Sequence, residues 1–103
     1  MEDLTEVQRK QIRIMDHYGE DRQLEKLVEE CAELIKAVMK SKTIDDNVVE
    51  EMADVKNLLE QFELTQICLI DTIESVIESK VDRELERIKT YRKKMDKGRL
   101  IAT

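Results

Sequence analysis

Acidic side chains in this sequence fall at spacings that let them converge on a hard cation. Glu51 has Val48 three residues before it, Val55 four after, Leu58 seven after and Phe62 eleven after. In a helix turning about 100° per residue these are same-face spacings, so Glu51 lies inside an apolar stripe, with Asp54 on its edge. A carboxylate there costs several kcal/mol to bury unless a partner or a metal compensates it. A second pair comes earlier: Glu30, between Leu27 and Leu34, borders an apolar face, and Glu33 stands one turn further from it. Ala37, seven residues after Glu30 and four after Glu33, leaves room beside both. If the two segments pack antiparallel, Glu30 and Glu33 face Glu51 and Asp54. Four oxygen ligands without His or Cys suit Mg²⁺, or Mn²⁺, and not zinc. A di-iron bundle needs Glu-x-x-His on two helices, whereas the single histidine, His17, lies in neither segment. The EF-hand loop is absent as well. One acid-x-x-acid pair is an ordinary product of a chain with 24 acids in 103 residues. Two pairs on neighbouring segments, one inside an apolar stripe, are less ordinary.

The elements that must position these groups are helices. There is no Pro, only two Gly, and 41% of residues are charged against roughly 25% in typical domains. That excludes turn-rich sandwiches and barrels, while the 41% hydrophobic content excludes simple disorder. Apolar periodicity predicts a first helix from about Leu4 to Tyr18, with Leu4, Val7, Ile14, Met15 and Tyr18 on one side and Gly19 as its stop. Asp21 is the expected cap of the second helix, about Arg22 to Lys40, whose stripe holds Leu24, Leu27, Val28, Cys31, Leu34, Ile35 and Val38. Residues 41–47 form a polar loop in which Thr43 or Asp45 caps a third helix, about Asp46 to Phe62. Its stripe is Val48, Met52, Val55, Leu59 and Phe62. After a weaker break near Glu63 to Cys68, the last helix runs from about Leu69 to Lys94, and Gly98 ends regular structure. The expected fold is all-α: one domain over residues 1–103, a small antiparallel helical bundle of three or four helices completed by dimerisation, with a short flexible basic end from about residue 96.

Charge and cysteines set the rest. The net charge is −6, but from Ile88 onward six basic residues face one acid, so that end carries +5 and the remainder −11. This balance argues against stable nucleic-acid binding. Cys31 and Cys68 form no CxxC and read as buried free thiols of a reducing compartment. No apolar run is long enough for a membrane, and the charged N-terminus does not resemble a signal peptide, so the expected location is cytoplasmic.

The motifs Glu29-Glu30-Cys31-Ala32-Glu33 and Glu51-Met52-Ala53-Asp54, E-E-x-x-E followed after a loop by E-x-x-D, resemble those of the MazG-type all-α nucleoside triphosphate pyrophosphohydrolases. The blocks Gln23 to Glu30 and Val49 to Val55 resemble short stand-alone members, and the likeness runs from about Gly19 to Ile88. It implies Mg²⁺-dependent cleavage of the α–β phosphoanhydride of a (d)NTP to a (d)NMP and pyrophosphate, in a house-cleaning role. Glu30, Glu33, Glu51 and Asp54 are then the metal ligands. Glu29 or Glu50 is the catalytic base or a support for the ligands. Lys80 and Arg83, in what resembles the family's basic segment, would neutralise the leaving pyrophosphate, and Gln23 would touch ribose or base. The expected partners are the nucleoside triphosphate and further copies of the chain, as a dimer or tetramer. Two other readings stand beside this one. In the first, a non-catalytic helical adaptor dimerises through its apolar stripes and Glu51 meets Lys56 or Lys80 across the interface. In the second, the same site acts on another phosphoanhydride, such as a modified nucleotide or a nucleotide alarmone.

Overall fold

The computed structural model describes residues 3–102, with side chains described for residues 3–98. Among them the chain is all-α: helices α1 (Glu6–Tyr18), α2 (Glu20–Ser41), α3 (Asp46–Thr65) and α4 (Leu69–Ala102), and no strand. The backbone divides into two compact units, the first ending at Leu69 and the second, from Ile70, being α4.

Local sequence explains where the helices of the first unit start and stop. Thr5 and Gln8 form a reciprocal capping box at α1, the Thr5 hydroxyl accepting from the Gln8 N–H at 3.1 Å and the Gln8 side chain accepting from the Thr5 N–H at 2.9 Å. Gly19 ends α1 with φ 87°, a left-handed value that disfavours any side chain. It is also the residue from which α2 starts, so Asp21 lies inside the first turn of α2 instead of capping it. There its charge complements the helix dipole. Asp45 caps α3, its carboxylate accepting from the Val48 N–H at 2.9 Å.

Side-chain pairs fix the directions of packing. Gln23 on α2 bonds Gln61 on α3, and Glu30 on α2 approaches Asp54 on α3. Seven residues forward on one helix match seven backward on the other, so the two run antiparallel. Gln11 on α1 bonds Asn57 on α3 at 2.9 Å. Nine residues on, at the start of α2, Glu20 accepts from the Gln66 side chain, nine residues after Asn57. The core between the three helices is small: Met15, Ala37, Val48, Leu58 and Phe62, with the amides of Gln11, Gln23 and Gln61.

Several expectations need correction. The α2 stripe is split. Its inward side holds Gln23, Leu27, Glu30, Leu34 and Ala37, while Leu24, Val28, Ile35 and Val38 are exposed. A unit of three helices covers only part of each helix surface, so a wide stripe is left half uncovered. On α3 the inward face is the one through Val48, Leu58 and Phe62, and Met52 and Leu59 are exposed. Cys31 is half-buried and Cys68 is exposed, at the turn between α3 and α4 with φ 66°. Gly98 does not end regular structure, because α4 continues through it to Ala102. One interior glycine costs a helix only about 1 kcal/mol relative to alanine, and a long helix tolerates that.

Candidate metal centre

The antiparallel pairing of α2 and α3 sets acids from both helices against each other. Glu30, Glu51 and Asp54 each offer a carboxylate oxygen, and these atoms lie within 4.8 Å of one another. Glu30 and Glu51 are half-buried, and Asp54 is exposed at the rim. The spacing Glu51-x-x-Asp54 supplies two of the three from adjacent turns of one helix face, and Glu30 closes the group from the other side.

Glu51 is the uncompensated member. Its Oε2 is buried and has no hydrogen-bond partner. Desolvation, first of all, and then the charges of Asp54, Glu30, Glu33 and Glu50 hold its carboxyl above the ordinary glutamate range. Glu30 is better served: Lys26, one turn earlier on α2, reaches it at 3.3 Å and Glu29 at 3.6 Å. That contact, chiefly the hydrogen bond to Glu30 and then the charges of Glu30 and Glu29, raises the Lys26 ammonium above the usual lysine range.

Beside the acids opens a cleft of about 280 Å³. Glu30 and Asp54 form one wall, Arg22 and Lys26 bring positive charge, and Gln23, Asn57 and Gln61 bring amides. Ile14, Tyr18 and Leu58 give it an apolar side. The Gln23 amide donates to the Gln61 carbonyl at 2.8 Å, a buried bond that ties α2 to α3 two turns from the carboxylates.

Compared with family models, curated proteins and solved structures, the chain matches none.

The structure thus brings together three of the four residues read as ligands. Glu33 is exposed and pairs with Lys36 at 3.7 Å, although its charge is felt at Glu51. Glu29 and Glu50 are exposed residues next to Glu30 and Glu51, and Glu29 shares Lys26 with Glu30. Gln23 is buried and lines the cleft. Lys80 and Arg83 are exposed residues of α4, in the second unit. Spacing alone had not singled out Arg22, Lys26, Asn57 and Gln61. Each has a signal in the sequence: Lys26 and Arg22 precede Glu30 by four and eight residues, and Asn57 and Gln61 follow Asp54 by three and seven, all helix-face intervals.

Proposed function

We propose that this chain is a Mg²⁺-dependent nucleotide pyrophosphohydrolase of the MazG type, cleaving the α–β phosphoanhydride of (d)NTPs in the cytoplasm. The observation that carries the reading is the buried, partnerless Oε2 of Glu51 beside the like charges of Glu30 and Asp54, the three coming from two helices. A half-buried carboxylate repelled by its neighbours is a poor structural device, and a divalent cation removes both penalties at once. The donors are all hard oxygens, as Mg²⁺ or Mn²⁺ prefers.

Glu30, Glu51 and Asp54 would hold the cation, with Glu33 near enough to join through its charge. Bound there, the cation polarises phosphate oxygens and acidifies a water. The chain's own residues do the remaining work. Arg22 and Lys26 meet the negative charge of a polyphosphate entering the cleft, and Lys80 and Arg83 are the further cations the resemblance implies. Ile14, Tyr18 and Leu58 offer an apolar surface for a base, and the amides of Gln23 and Asn57 offer hydrogen bonds to base or sugar. Glu29 or Glu50 accepts the proton of the attacking water.

The test is pyrophosphate release from a panel of (d)NTPs with Mg²⁺ or Mn²⁺. Wild type releases it, and Glu30→Gln and Glu51→Gln lose at least about two orders of magnitude, as expected when metal coordination or charge stabilisation fails. No release from any nucleotide overturns the reading. It would favour a dimeric helical adaptor, to which the exposed Leu24, Val28 and Ile35 of α2 lend support.

A further inference from the structure

The second unit carries a surface that the proposed site does not use. Helix α4 has 34 residues, about 51 Å at 1.5 Å per residue. Along it Ile70, Ile77, Val81, Leu85, Ile88 and Met95 are all exposed, between 42% and 54%. At 100° per residue they fall within an arc of about 80°, a stripe along the helix into which Glu74 and Arg92 also fall. An apolar stripe of that length left in water marks a contact surface.

Its charge pattern identifies the occupant. Residues 69–86 hold six acids and two bases, and residues 87–98 hold six bases and one acid. The helix dipole does not account for this, because its influence fades within the first and last turns, whereas the gradient spans the helix. A nucleic acid or an anionic membrane would attract the basic half and repel the acidic half. A second α4 in the opposite direction satisfies both halves together.

We propose that α4 pairs antiparallel with α4 of a second copy of this chain, centred between Val81 and Leu85. In that register Val81 stands opposite Leu85, Ile77 opposite Ile88, and Ile70 opposite Met95. Antiparallel copies are related by a two-fold axis across the helices, so each flank of the stripe meets its own counterpart. Glu74 and Arg92 lie within the stripe and Glu78 and Lys89 on one flank of it, which sets Glu74 against Arg92 and Glu78 against Lys89, each pair occurring twice, while Asp71 meets Asp96 on the same flank nearer the helix ends. A parallel pair would instead bring the two basic halves together.

A charge swap in the full chain tests orientation and register, read by sedimentation equilibrium at low salt. Wild type is a dimer. Glu78→Lys replaces two attractions with two repulsions and raises the dissociation constant roughly tenfold, at about 0.3–0.5 kcal/mol for each exposed pair. Lys89→Glu does the same. The double variant Glu78→Lys with Lys89→Glu restores the dissociation constant to within about twofold of wild type, because the pairs re-form with reversed polarity. Such rescue needs the antiparallel register, since residues 78 and 89 lie about 16 Å apart along a parallel pair. Ile77→Ser with Ile88→Ser leaves a monomer. A monomeric wild type, a double variant as weak as the singles, or a dimer that survives the serine changes, and so uses another face, would each overturn the proposal.

Discussion

Replacing Gln61 by leucine isolates the bond that keeps α2 and α3 in register. Gln61 is 1% exposed and Gln23 5%, and the 2.8 Å bond between their side chains is buried with them. Leucine fills a similar volume but accepts no hydrogen bond, so the Gln23 amide is left buried and unpaired. A stranded polar group of this kind costs about 1–3 kcal/mol. In a unit this small that lowers Tm by roughly 5–20 °C. Gln23→Leu strands the Gln61 carbonyl and costs a similar amount. The double variant removes both polar groups, and its stability returns to within about 1 kcal/mol of wild type, so the two losses are strongly non-additive. Urea denaturation of the four proteins measures the cycle. The functional readout should separate from the stability readout: the double variant lacks two amides that line the cleft, so nucleotide binds more weakly even though the fold is restored. Additive losses, or a Gln61→Leu protein as stable as wild type, would refute the role given to this bond.

Three further outcomes follow from the same structure. Glu51→Gln removes the charge that burial and four neighbouring acids disfavour, so the metal-free variant melts above metal-free wild type. Wild type gains about 2.7 kcal/mol from Mg²⁺ at a hundredfold excess over its Kd, and the variant loses that gain, both read by thermal melting. The pH dependence has a definite sign. The folded chain holds the Glu51 proton to higher pH than the unfolded chain does, so this group's contribution to stability is complete below the ordinary glutamate value and is lost as pH rises through the raised one. Metal-free wild type therefore loses stability relative to Glu51→Gln across that window upward from about pH 4, as urea titrations at successive pH values will show. Leu58→Ala opens a cavity in the core it shares with Met15, Ala37, Val48 and Phe62 and costs about 2–5 kcal/mol in the same assay.

The sequence alone determined the helices and the odd placement of Glu51. Three- and four-residue apolar steps, Gly19 and Asp45 mark the elements because helix periodicity and capping are local physics. Glu51 was visible as an acid inside a stripe for the same reason, since Val48, Leu58 and Phe62 share its face whatever the helix packs against. Tertiary structure decided what the local pattern leaves open. Which half of the wide α2 stripe turns inward depends on how many neighbours cover it, and so Gln23 and Ala37 are buried while Val28 and Ile35 face out. The register of α2 against α3 chooses Glu30, not Glu33, as the third member of the cluster and sets Lys26 and Arg22 at the cleft. Register is a property of two helices together, and no spacing within one of them can specify it.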